Sequence, residues 1–215
     1  MSQLFPEWTN KLPTYVAVLA VLFGLSIIGF IWYYFSPWYT DVGYRPQQPV
    51  PFSHKLHADD LGLDCRYCHN LVEKSAVANI PPTQTCMNCH KLILPESEKL
   101  LKIRESWSKN IPMKWIRVHK LPDYVYFNHS IHLNAGIGCV SCHGQINEMP
   151  VVTLKKPLSM SWCLDCHKHP EAQIRPPSEL TNMRWQPPAD QLEFAERIIN
   201  EKSINPPIEC SGCHR

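Results

Sequence analysis

One apolar run dominates the pattern of this chain. No charged side chain occurs from Leu12 to Phe35, and Val16 to Trp32 is almost wholly apolar. About 20 apolar residues cross a bilayer as a helix, so the run predicts one membrane-spanning helix over residues 12–35. Trp8 and Tyr15 stand at one end, with Trp32, Tyr33, Tyr34, Trp38 and Tyr39 at the other, the arrangement of an aromatic belt. A cleaved signal peptide is the competing reading. It needs an apolar stretch of about 7–15 residues ending in a small-residue site, and this run is longer and leads into Trp32-Tyr33-Tyr34-Phe35. Beyond it the periodic signals are sparse. Residues 95–109 place Leu100, Leu101, Ile103 and Trp107 at helical spacing behind Pro95, and residues 189–201 predict a second helix with Leu192, Phe194, Ile198 and Ile199 inward. Residues 115–118 and 124–127 are the only strand candidates, as a small hairpin. The proline-rich stretches 44–52 and 175–188 read as extended connectors.

The sparse pattern makes sense once the cysteines are placed. All ten fall in five Cys-x-x-Cys-His motifs: Cys65-Cys68-His69, Cys86-Cys89-His90, Cys139-Cys142-His143, Cys163-Cys166-His167 and Cys210-Cys213-His214. This is the attachment signature of c-type haem. The two thiols add across the porphyrin vinyls and the next histidine becomes the proximal iron ligand. Structural zinc also uses Cys-x-x-Cys pairs, but zinc does not require a histidine directly after the second cysteine. A disulfide framework would not repeat one spacing five times. Five covalently attached haem c groups are expected.

The roughly 180 residues beyond Phe35 leave 36 for each motif. A chain this thin cannot build a conventional core and five pockets besides, so the porphyrins themselves are expected to be the core. The fold class expected is mainly α and irregular: one N-terminal transmembrane helix plus a multihaem cytochrome c domain. The net charge of +2 shows no basic stripe and gives no reason to expect nucleic acid.

An internal repeat divides the soluble part. Phe52-Ser53-His54-Lys55-Leu56-His57 is echoed 75 residues later by Phe127-Asn128-His129-Ser130-Ile131-His132, and each copy leads into two haem motifs. The second copy adds the motif at Cys210. The organisation expected is a short cytoplasmic tail at 1–11, the span at 12–35, a two-haem module at 36–118 and a three-haem module at 119–215. Haem attachment takes place outside the bacterial cytoplasm. The chain is therefore expected in the inner membrane as a single-pass protein, with its haem domain on the periplasmic side.

Eleven histidines are present and five are proximal. Six remain for five distal positions, so supply nearly matches demand. His54 and His129 are expected over the haems at Cys65 and Cys139, His57 and His132 over haems further along, and His119 over the fifth. His169, two residues past His167, is a weaker candidate. Methionine is the alternative ligand and raises the reduction potential; Met149 and Met160 are the best placed. With every iron holding two side chains, the protein conducts electrons and has no substrate-transforming site of its own.

The Phe-x-His-x-x-His lead resembles class III multihaem cytochromes. The ordered set of the span, Pro49-Val50-Pro51-Phe52-Ser53-His54, Ile80-Pro81-Pro82-Thr83-Gln84-Thr85-Cys86, Val118-His119-Lys120-Leu121-Pro122 and Leu158-Ser159-Met160-Ser161-Trp162-Cys163 is similar to the pentahaem subunit of bacterial alternative complex III, over nearly the whole chain. That resemblance implies quinol oxidation in a separate polytopic membrane subunit. Electrons would then pass through an iron–sulfur subunit to this chain, and on to a monohaem cytochrome c or a terminal oxidase. The competing functions are a small membrane-anchored quinol dehydrogenase that oxidises quinol itself, a multihaem reductase with a high-spin haem, and a haem-stapled scaffold.

Overall fold

The structure is a computed structural model describing residues 5–35 and 41–214. It divides into two units, Met1–Thr40 and Asp41–Arg215.

In the first unit a 3-10 turn, Glu7–Lys11, leads into α1, Leu12–Phe35. At 1.5 Å per residue its 24 residues extend about 36 Å. None of its side chains is buried within the chain, and it is long and apolar enough to cross a membrane. Its one hydroxyl-bearing interior residue, Ser26, donates back to the Leu22 carbonyl at 2.8 Å, which keeps that donor satisfied without water. The expected belt residues Trp38 and Tyr39 lie outside the described residues.

The second unit is built from short helices. They are α2 (Cys65–Cys68), α3 (Thr83–His90), α4 (Leu101–Lys109), α5 (His129–Asn134), α6 (Cys139–His143), α7 (Met160–Lys168), α8 (Gln191–Lys202) and α9 (Cys210–Cys213), with a π-helical turn at Lys55–Asp60. Every Cys-x-x-Cys-His motif thus starts or lies within a helical turn. No strand occurs among the described residues; two isolated bridges join Val125 to His214 and Ile137 to Ile174.

Three expectations are corrected. The helix expected from Pro95 begins later, with a 3-10 turn at Glu98–Leu100, because Leu94 is left-handed (φ 54°) and turns the chain just before Pro95. Its inward residues are Ile103 and Ser106, while Leu101 and Trp107 are both 49% exposed. In α8 the expected Phe194, Ile198 and Ile199 do pack inward, beside the buried Gln191 and Ala195, but Leu192 is 66% exposed. Gln191 takes the inner stripe because its amide donates to the Glu171 and Ile174 carbonyls, both at 2.7 Å; the neighbouring Leu192 is then rotated away. The expected hairpin does not form. The backbone of Ile116 pairs instead with the side-chain amide of Gln48, and Tyr126 N–H donates to the Cys213 carbonyl.

Apolar burial is thin and divided. Val72, Leu133 and Leu180 form one cluster; Ile137, Ile174 and Ala195 form another, with Phe194, Ile198, Ile199 and Ile204 against it. The stretch 175–188, expected as a connector, is partly a wrapping: Arg175, Leu180 and Met183 are buried, and the Leu180 carbonyl receives the N–H of Cys139.

Candidate functional site

Each motif helix starts where a local device turns the chain. Asp64 caps α2, accepting from the Arg66 N–H at 2.8 Å, and its carboxylate also takes the Arg66 guanidinium and the Thr181 hydroxyl. Arg66 holds the Asp64 carboxyl down at about 2. Ser159 caps α7 through the Trp162 N–H. In α9, Gly212 is required because a Cβ there would meet Pro207 Cβ at 2.4 Å.

The cysteine side chains fall in a definite spatial order. Cys86 lies near Cys68, the Cys65 thiol near that of Cys139, Cys142 near Cys163 and Cys166, and Cys163 near Cys213, close enough for each to influence the other's ionisation. The motifs therefore run second, first, third, fourth, fifth through space. Cys89 at one end and Cys210 at the other are exposed, while the cysteines between are partly covered. Asn88 and Tyr67, inner residues of the second and first motifs, are hydrogen-bonded at 3.2 Å, which ties that end to its neighbour.

The histidines carry a consistent hydrogen-bond pattern. Nδ1 of His57, His69, His90, His129, His132, His167 and His214 donates to the backbone carbonyl of Ser53, Asn79, Ile93, Ala76, Asn128, Pro207 and Tyr124 respectively. A carbonyl only accepts, so a proton sits on Nδ1, and in the neutral ring this tautomer leaves Nε2 as the lone-pair nitrogen that a metal-ligating imidazole requires. Burial is the first cause that pushes His54 down to about 4 and His143 down to about 3, and it also lowers His119 and His132. These rings are neutral at pH 7, the form that binds a metal. His54 Nδ1, His119 Nε2 and His143 Nδ1 are buried without a protein partner.

Three ring pairs have the separation a shared metal imposes. Imidazole–metal bonds of about 2.1 Å on each side put the two ring centres about 6.4 Å apart. His57 and His90 are 6.2 Å apart, His129 and His143 are 6.4 Å apart and nearly parallel (6°), and His132 and His167 are 6.0 Å apart. His54 lies close enough to His69 for charge on either to oppose charge on the other. A cleft of about 530 Å³ opens beside His167, lined also by Lys168, Ile199, Pro207 and Ile208. The donor set, the separations and the cleft fit c-type haem.

Other candidates are placed differently. His119 stands 4.3 Å from the His143 ring, too close for a metal between them, and not against His214. The ring against His214 is that of Tyr124, at 5.8 Å. His169 is exposed, Met160 is 63% exposed, and Met149 is buried with its sulfur accepting the Thr153 N–H at 3.5 Å.

Two residues escaped the sequence reading although they stand in the repeat: Phe52 and Phe127. Phe52 meets His54 edge-on (5.0 Å, 90°) and stacks on His57 (4.5 Å, 24°); Phe127 meets His129 edge-on (4.7 Å, 85°) and lies against His132 (4.5 Å, 32°). One phenyl ring fixes two imidazoles in each module. Phe127→Ala should therefore perturb two irons together. EPR is expected to show two low-spin signals shifted or broadened, with about 2 kcal/mol lost in denaturant unfolding, below the range for a fully buried phenylalanine. Perturbation of a single signal would overturn the shared role.

The class III cytochrome c family model matches residues 39–120, and the model for cytochrome c7 and related cytochromes c matches residues 125–215. The chain is 30% identical over 173 residues to the menaquinone reductase multihaem cytochrome c subunit of Nitratidesulfovibrio vulgaris (strain Hildenborough), covering 80% of this chain and 78% of that one. It is 26% identical over 111 residues to the acrylate reductase cytochrome subunit of Shewanella woodyi, covering 52% of this chain and 68% of that one.

Proposed function

This chain belongs to the multihaem cytochrome c family, of the class III and c7 kind, and we propose that it is the membrane-anchored pentahaem relay of a quinol-oxidising respiratory complex. The observation that carries the reading is the set of histidine pairs at 6.0–6.4 Å, each ring with its Nδ1 proton fixed or its charge suppressed. Bound haem supplies reversible one-electron chemistry at iron. The chain's own residues fix where that chemistry sits.

In this reading Cys65 and Cys68, Cys86 and Cys89, Cys139 and Cys142, Cys163 and Cys166, and Cys210 and Cys213 each hold one haem c. His69, His90, His143, His167 and His214 are proximal. His54, His57, His129 and His132 complete the irons of His69, His90, His143 and His167. The modules divide near residue 119, a reading supported by separate family-model matches at residues 39–120 and 125–215. The cysteine order gives a line whose exposed ends, at Cys89 and Cys210, are its points of entry and exit. Helix α1 serves as a single-pass inner-membrane anchor, with the attached domain periplasmic. The partners are an iron–sulfur subunit, a polytopic quinol-oxidising subunit, a monohaem cytochrome c and a terminal oxidase.

The name of the menaquinone reductase relative favours a second reading of direction, in which the same line delivers electrons toward a quinone-reducing partner. One experiment separates relay from self-sufficient quinol dehydrogenase. The purified chain, carrying five haems by pyridine haemochrome, is mixed with a menaquinol analogue. The relay reading expects slow reduction by the chain alone and fast reduction in the assembled complex. Fast reduction of the isolated chain would sink it.

A further inference from the structure

A buried cation lies against the middle motif. Arg175 is only 4% exposed. Its guanidinium rests on the backbone of Gly138, the residue before Cys139: a Cβ at Gly138 would lie 2.4 Å from both Cζ and Nε. The approach extends to Gly136, at φ +92°, whose carbonyl accepts the Arg175 N–H at 2.9 Å and where a Cβ would meet the Arg175 carbonyl at the same distance. Side chains are thus excluded at two positions so that Arg175 can reach the start of α6.

The charge it brings is not neutralised by an ion pair among the described residues. Its Nη1 donates weakly to two carbonyls, Glu179 at 3.5 Å and Asn182 at 3.3 Å. Its plane lies over the Trp185 ring at 4.6 Å, and its Nε is buried without a partner. The nearby Glu179 carboxylate is turned to the Asn182 amide at 2.7 Å. Burial lowers the arginine pKa, but an arginine in a protein stays protonated. A buried, unpaired charge is costly to keep, and the nearest attachment point is the Cys139 thiol.

We propose that Arg175 is a fixed cation that raises the reduction potential of the haem attached at Cys139 and Cys142, the middle position of the five. The inference rests on the haem reading of that motif. Reduction adds one electron, drawn from the neighbouring haem, and leaves the iron site one unit more negative. A nearby positive charge in a poorly screened setting stabilises that state more than the oxidised one. The middle of the line then holds the electron more tightly than it would otherwise, away from its exposed ends. Lys156, near Cys142, adds further positive charge to the same motif.

The test is potentiometric titration of the full-length, haem-loaded protein, followed by EPR and visible spectroscopy, with haem content measured in parallel. Arg175→Met should lower one midpoint potential of five, changing the reduced-to-oxidised ratio at fixed potential about tenfold, which is ~59 mV for a one-electron couple. Arg175→Lys keeps the charge and should leave that midpoint near its original value. Glu179→Gln removes the nearest carboxylate from the surface side and should raise the same midpoint. Five haems with unmoved midpoints in Arg175→Met, or an equal fall in Arg175→Lys, would overturn the proposal. If Arg175→Met fails to assemble, Glu179→Gln decides: a single raised midpoint supports the proposal and an unchanged set overturns it. A wild-type chain without haem at Cys139 and Cys142 would overturn the haem reading itself, and this inference with it.

Discussion

With all ten motif cysteines replaced by alanine, residues 41–214 should fail to fold. Few apolar side chains are buried, and the largest of those fully buried is a single isoleucine, Ile174. The two apolar clusters, around Leu133 and around Ile174, have three buried members each. Domains of about 150 residues normally bury close to 70% of their unfolded surface, mostly against one continuous core. Here the helices are mostly four to nine residues long, far below the about 12–15 residues at which an isolated helix becomes even marginal in water. Helices this short persist only when tied to something large and rigid. Covalent attachment through two cysteines supplies that tie, and the ring supplies the apolar face. The cysteine-free chain is expected to show a disordered far-UV circular dichroism spectrum, no cooperative urea transition and rapid proteolysis. A cooperative transition with helix content equal to that of the loaded protein would remove the idea that the cofactors are the core.

The same shortage explains which features could be read from the sequence. The apolar N-terminal helix, the five motifs and the Phe-x-His-x-x-His repeat are local patterns, and each appears in the structure where the residues put it. The cysteine order was not readable, since Cys65 comes near Cys139 and Cys163 near Cys213 across long stretches of chain. Nor were most of the carbonyls that orient the imidazoles: His129 relies on Ala76, His167 on Pro207 and His214 on Tyr124. Periodicity misplaced Leu192 because an inward glutamine was satisfied by two carbonyls and took the stripe. The hairpin failed because Gln48 and Cys213, not neighbouring strands, supplied the backbone partners. The near-match of spare histidines to irons cannot say which ring His119 approaches. Its position 4.3 Å from His143 sets it among the histidines that crowd the middle motif.

Replacing His132 by methionine should change one iron of the five and leave the others alone. His132 faces His167 at 6.0 Å, and its Nδ1 proton is held by the Asn128 carbonyl at 2.7 Å, so Nε2 is the atom left to ligate the iron proposed between the two rings. A thioether is a poorer donor to ferric iron than imidazole, so histidine–methionine coordination favours the reduced state. Axial ligands move haem potentials over about 0.8 V in all, and this exchange is expected to raise one midpoint by about 0.1 V or more. The unbranched methionine side chain is flexible enough to reach the position that His132 occupies from α5. The matching change at His119 is the control, because its ring lies beside His143 and not across a metal-sized gap from it. His119→Met should leave the spin state and the ligands of every iron as they are in the unsubstituted protein. If it instead converts one low-spin signal to a methionine-ligated one, His119 is an axial ligand and the pairing of His129 with His143 is wrong. If His132→Met leaves every midpoint where it was, the iron above His167 has another distal ligand, and the duplicated Phe-x-His-x-x-His turn does not clamp two haems in the second module.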